Sequence, residues 1–258
     1  MIAARRILAI AMNTWREAVR NKLLYTLLFF ALLLIAVSVF VATLSYVERE
    51  RILQDIGIAA IRLFGVAIAV FVGVGLIHRE VDRRTVYTIL SKPLSRTEFL
   101  IGKYVGLVFT VWMQMGVMIV AFAGVSLAMD APLGAVHAAA FALTGVELAL
   151  MVAVATLFSA FTTPMLASYF SVGVWVVGHL TRNLRDLGAA SDSGAVAAIT
   201  AAIHRVLPDL EAFNLSTEAA HGLAVTASDV LLPVAYGAGY AVILLVIATL
   251  IFERRDFR

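Results

Sequence analysis

The chain contains no cysteine, only 5 prolines and only 14% charged residues among its 258. Without a thiol there is no disulfide framework, no thiolate metal site, no iron–sulfur cluster and no cysteine nucleophile. With Pro 5 and Gly 17, collagen-like and Pro-rich low-complexity chains are excluded too. The charge is also too sparse for an ordinary soluble domain, where about 25% of residues are charged. HExxH and GxSxG are missing as well. The five histidines (His78, His137, His179, His204, His221) have no ligand spacing, so each is expected to be an interfacial or loop histidine. No catalytic residue and no metal site is expected.

What is present is apolar: 62% of the residues are hydrophobic and the mean hydropathy is +0.97. Such a chain is neither disordered nor a simple soluble globule, and it must bury itself in lipid. A hydrocarbon core of about 30 Å needs about 20 apolar residues per helix. Six runs qualify: 23–46, 58–77, 104–129, 138–158, 164–180 and 230–252. The fifth is short for a span and opens on Pro164, a tolerated first-turn position. The expected fold is an all-α integral membrane protein, one unit over residues 1–258.

The net charge of +3 suggests nucleic acid less than topology, because basic residues in a membrane protein set orientation. Of the 20 Lys and Arg, fourteen fall before the first run, between the second and third, or after the last. Five (Arg49, Arg51, Arg182, Arg185, Arg205) lie on the opposite side, and Arg62 falls inside a run. The positive-inside rule then puts both termini in the cytoplasm.

The first apolar run is longer than the core of a signal peptide and begins only after residue 22, so it is expected to stay in the mature protein. Residues 1–22 put Ile7, Ile10, Ala11, Thr14, Trp15 and Ala18 near one helical face, which predicts an interfacial helix. A disordered basic leader is the alternative. On the far side, 181–229 forms an extracytoplasmic loop too long to be structureless. Val196, Ile199, Ile203 and Val206 predict an amphipathic helix between Ser193-Gly194 and Pro208, lying on or dipping into the outer leaflet. It is either a plain lid or a gate.

The connection over 78–103 is charged yet amphipathic. Val86, Ile89 and Leu90 make an i, i+3, i+4 stripe, and Lys92-Pro93 ends that helix. Ser95 with Glu98 has the form of a capping box that restarts a helix running through Gly102 into the third span. An ordinary juxtamembrane loop is the bland reading. Gly102-Lys103 does not make a phosphate loop, because Thr97 occupies the place of its first glycine and Tyr104 that of its Ser or Thr. Within the spans, Arg62, Gln114 and Glu147 are the polar residues that must face the bundle interior. Arg62 is expected within about two turns of the outer surface, where it can pair with Glu147. A substrate-path site and a packing-only pair both fit. Gly102 and Gly106 form a GxxxG for close helix packing; Gly73, Gly75, Gly173 and Gly178 are read as packing positions.

Glu80, Thr85, Ile89-Leu90-Ser91-Lys92-Pro93-Leu94-Ser95-Arg96 and Gly102-Lys103 resemble the cytoplasmic signature of ABC-2 type transporter permeases. Arg16-Glu17 with Arg20-Asn21-Lys22 resembles that family's N-terminal elbow, and Phe252-Glu253-Arg254-Arg255-Asp256-Phe257 its ending. Arg84 departs from it, since many members have glycine there. The resemblance implies a half-transporter of the bacterial inner membrane, in which two permease subunits, identical or different, pair in membrane lipid. It implies that ATP and Mg are held by a separate ATP-binding cassette subunit, not by this chain. It also implies a coupling helix whose stripe, Val86, Ile89 and Leu90, enters the cassette, with Arg79, Glu80, Arg83 and Arg84 at the rim. Two rivals stand beside this reading. One is a membrane-embedded lipid-modifying enzyme, which requires Glu147, Arg62 and a histidine to converge. The other is a cassette-coupled assembly or maturation factor.

Overall fold

The computed structural model describes residues 2–45, 48–76, 95–190, 193–221 and 223–254, and all regular structure among them is helical. Helix α1 spans Ile2–Val19 and α2 spans Lys22–Thr43, started by the Asn21 side chain, which accepts from Leu23 N at 3.1 Å. Helix α3 covers Arg49–Ala67 and continues through a π-helical turn, Ile68–Val72, to Leu76. Helices α4 (Arg96–Ala128) and α5 (Ala135–Phe161) form a hairpin whose turn uses Asp130 at φ 56°, a left-handed conformation that Asp tolerates. Then follow α6 (Pro164–Ala190), α7 (Gly194–Val206), a 3₁₀ turn (Leu210–Phe213), α8 (Ser216–His221) and α9 (Ala227–Arg254).

Among the described residues, five helices are long and apolar enough to cross a membrane: α2, α3 with its extension, α4, α5 and α9. The sixth expected crossing, 164–180, is helical and runs ten residues further than its apolar stretch, to Ala190. Ser168, Tyr169, Ser171, Trp175 and His179 keep its apolarity lower, and it stands outside that group of five.

Helices α3 and α5 form the buried centre, whereas α2 and α9 are mostly exposed along their length. Four buried hydroxyls are satisfied within their own helices: Thr110, Thr144, Thr156 and Ser171 each donate to the carbonyl four residues back. The predicted GxxxG does have a partner, which is α1. A Cβ on Gly102 would lie 2.7 Å from Ile10 Cβ, and one on Gly106 2.5 Å from the Ala11 carbonyl oxygen. Ala11, Thr14 and Ala18 are buried there, so residues 2–19 are an ordered helix against α4 and not a disordered leader. Among the other glycines, Gly178 is a tight packing position, but Gly75 and Gly173 have nothing within 4 Å of a built Cβ.

Two boundaries differ from expectation. Helix α3 begins at Arg49, because the charged turns before the apolar run remain helical, so Arg62 lies about 20 Å along a 28-residue helix. That is the middle of the helix, while measured from the start of the apolar run at Ile58 it lies about 6 Å in. The segment after α6 is also deeper than a surface loop. Gly188 packs on Thr200, while Gly178, lower on α6, packs on Leu210 and the Pro208 carbonyl, so α7 descends antiparallel to α6. The 3₁₀ turn sits at the level of Arg62, and α8 returns along α3 until Ala220 shares a cavity wall with Glu48 and Gln54. The segment is therefore re-entrant.

Candidate functional site

Four elements meet at the bottom of this re-entrant turn. Glu147, about 18 Å into α5, is 0% exposed and Arg62 on α3 is 8% exposed. Arg62 Nε donates to Glu147 Oε2 at 2.7 Å, a short charge-assisted bond. The Arg62 guanidinium also donates through Nη2 to the Leu210 carbonyl at 3.4 Å. On the other carboxylate oxygen, Trp175 Nε1 donates to Oε1 at 3.0 Å. His179 Nε2 stands 3.5 Å from that same Oε1, outside hydrogen-bond alignment. Trp175 and His179 share a face of α6 because they are four residues apart, and His179 Nδ1 is held against the Trp175 carbonyl at 3.0 Å.

The cluster thus joins α3, α5 and α6 through one carboxylate, and the 3₁₀ turn through the guanidinium that carboxylate binds. Burial in a low-dielectric bundle strengthens every one of these interactions and penalises any group left unpaired. Gln114 is buried on α4 with Oε1 unpartnered, and among the described residues no hydrogen bond joins it to Arg62 or Glu147. Its neighbour Trp112 instead donates to the Gly145 carbonyl at 2.8 Å.

The histidines are not uniformly interfacial. His179 lies at the cluster, and His137 is buried in the first turn of α5, where its Nδ1 accepts from Gly134 N at 3.1 Å. Trp175, His179 and the Leu210 carbonyl were absent from the candidates read off the sequence. The i, i+4 spacing of Trp175 and His179 inside an apolar helix was the available signal. Glu147, Arg62 and a histidine do converge, as the enzyme reading requires, but Glu147 has no solvent exposure and no substrate bond can reach it in this state. Among the described residues no group of three or more His, Cys, Asp or Glu could hold a metal.

A second locus lies at the end that carries the termini. The capping box is present: Glu98 N donates to Ser95 Oγ at 3.1 Å and Ser95 N to Glu98 Oε2 at 3.2 Å. Arg6 of α1 stands 3.7 Å from Glu98, and the buried Lys103 stands 3.5 Å from Glu17. Thr97 donates to Glu253 Oε1 at 3.0 Å, and Arg96 donates to the Phe252 and Glu253 carbonyls. The start of α4 is therefore clamped between α1 and the end of α9. The coupling candidates Arg79, Glu80, Arg83, Arg84, Val86, Ile89 and Leu90 lie outside the described residues, in the connection that leads into this clamp.

No curated protein matches the chain. A family model described as an ABC-2 family transporter protein matches residues 8–257, nearly the whole chain, from α1 through α9. The chain therefore belongs to the ABC-2 transporter family and is a permease-type membrane component of an ABC transporter.

Proposed function

We propose that this permease is a half-transporter that exports its substrate, pairs with a second permease subunit and is driven by a separate cassette subunit. The family match over residues 8–257 carries this reading. In it, α6 is the sixth crossing, both termini are cytoplasmic, and 78–103 faces the cassette. Val86, Ile89 and Leu90 enter a groove of that subunit as i, i+3, i+4 anchors, with Arg79, Glu80, Arg83 and Arg84 at the rim. ATP and Mg bind to the cassette.

The clamp at the start of α4 supports a mechanical role. A push on the 78–95 segment reaches α4 through Ser95 and Glu98, and from there α1 and α9, as one tied unit. At mid-bundle, the Arg62–Glu147 pair holds the re-entrant turn against α3 and α5, so outward opening of that turn must break the Arg62 to Leu210 bond or carry both partners along. A cassette-driven assembly role uses the same lever and differs only in what moves.

The test is the double variant I89D/L90D. It should insert and fold normally yet release the cassette subunit. Unchanged cassette binding in a folded I89D/L90D protein overturns the coupling assignment.

A further inference from the structure

The re-entrant turn also opens on the flank of the bundle, away from the Glu147 cluster. A cavity of about 380 Å³ lies there between the end of α7, the 3₁₀ turn and α9, and its polar lining is His204, Arg205, Asp209, Tyr236 and Tyr240. Its depth follows from α9. Tyr236 and Tyr240 fall about 9 and 15 Å into the apolar run that begins at Val230, within a hydrocarbon core of about 30 Å.

The charges of this cavity do not cancel. Asp209 is already satisfied: Arg182 Nε donates to Oδ2 at 3.0 Å, while Thr181 Oγ1 and Glu211 N donate to Oδ1 at 3.3 and 3.2 Å. Arg205 is exposed and has no hydrogen bond or ion pair among the described residues. His204 Nδ1 is buried without a partner. Tyr236 accepts from Asp209 N at 2.9 Å, which leaves its own hydroxyl proton to donate, whereas Tyr240 spends its proton on the Val206 carbonyl at 2.5 Å. An unpaired guanidinium at this depth is costly against acyl chains, so it needs an anion or water beside it.

The surroundings are apolar and aromatic. The two tyrosine rings stand 5.9 Å apart at 54°. Leu232, Tyr236, Tyr240 and Ile243 follow helical spacing along one face of α9, and Leu232 and Ile243 are exposed. We propose that this cavity binds the oxyanion head of an amphiphile, a phosphate or carboxylate on an apolar body. Arg205 and the Tyr236 hydroxyl are the donors, and the tyrosine rings with the Leu232 to Ile243 face take the body. The assignment rests on the permease reading and names the class of its cargo.

Binding can be tested without the cassette. The full chain, purified in a neutral maltoside detergent, is titrated by calorimetry with dodecyl phosphate, dodecyltrimethylammonium and inorganic phosphate. Dodecyl phosphate should bind saturably, the cationic amphiphile should not, and inorganic phosphate should bind at least about tenfold more weakly. R205Q should lose about tenfold or more in affinity for dodecyl phosphate, as expected for a charged hydrogen-bond donor, and R205K should recover most of it. Arg205 is exposed, so R205Q should unfold at the wild-type temperature. Equal affinity in R205Q, or equal binding of the cationic amphiphile, overturns the site. Inorganic phosphate binding as tightly as dodecyl phosphate overturns the amphiphile assignment. If binding fails while the cassette still co-purifies, the site is wrong and the permease reading stands; binding without any cassette gives the reverse.

Discussion

Arg62 and Glu147, 85 residues apart in sequence, meet at 2.7 Å in the middle of the bundle, and each reaches a further element: Arg62 the 3₁₀ turn, Glu147 helix α6. Removing one partner strands the other as a buried charge, which costs about 3–5 kcal/mol. Glu147→Gln and Arg62→Gln should therefore each lower the unfolding temperature in detergent. The double variant R62L/E147L should recover much of the loss, because replacing both partners leaves no stranded charge. Two single variants as stable as the wild type contradict the pair's role in packing.

Because the chain has no cysteine, introduced pairs report on geometry without background. The variant G188C/T200C should form an intrachain disulfide on mild oxidation: a built Cβ on Gly188 lies 3.0 Å from Thr200 Cβ, so the two helices need only ease apart by about half an ångström to reach disulfide geometry. The pair G173C/T200C should not, because nothing lies within 4 Å of a Cβ on Gly173. Failure of the first pair to close contradicts the antiparallel descent of α7 along α6.

Gly106 lets α1 approach α4 to backbone contact. G106L should cost about 1–3 kcal/mol by overpacking, while G116L, with open space at its Cβ, should be neutral. Thermal unfolding of the two variants measures the difference. Equal stabilities argue against α1 as the partner of this face.

Much of the fold was legible in the sequence and part of it was not, for physical reasons. The apolar runs gave the long helices because a span must satisfy its backbone internally. The Ser95 and Glu98 capping box and the Ser193 to Pro208 limits of α7 are local signals, and the structure follows them. The start of α3 was hidden because Arg49 to Asp55 carry charge yet remain helical beyond the apolar run. That extension puts Arg62 at the middle of a longer helix, with its place in the apolar run unchanged. The re-entrant descent was legible only as an amphipathic helix, since its depth depends on contacts between Gly178 and Leu210 that no periodicity encodes. His179 reads from the sequence only as an interfacial or loop histidine for the same reason: the carboxylate it stands beside lies on α5.

Cytoplasmic termini are the expectation from the basic residues, and labelling tests it. With an impermeant maleimide on intact cells, A224C should react and R5C should not until the membrane is opened. Both positions are exposed on the protein, so access depends on the side of the membrane alone. The reverse pattern contradicts cytoplasmic termini.

In the proposed function this chain is driven by a separate ATPase. The direct measurement is purification of the complex from native membranes in mild detergent, with mass identification of soluble partners and an ATPase assay. A near-stoichiometric nucleotide-binding subunit with ATPase activity, lost in I89D/L90D, is the predicted result. A stable, folded preparation that never carries an ATPase would contradict it.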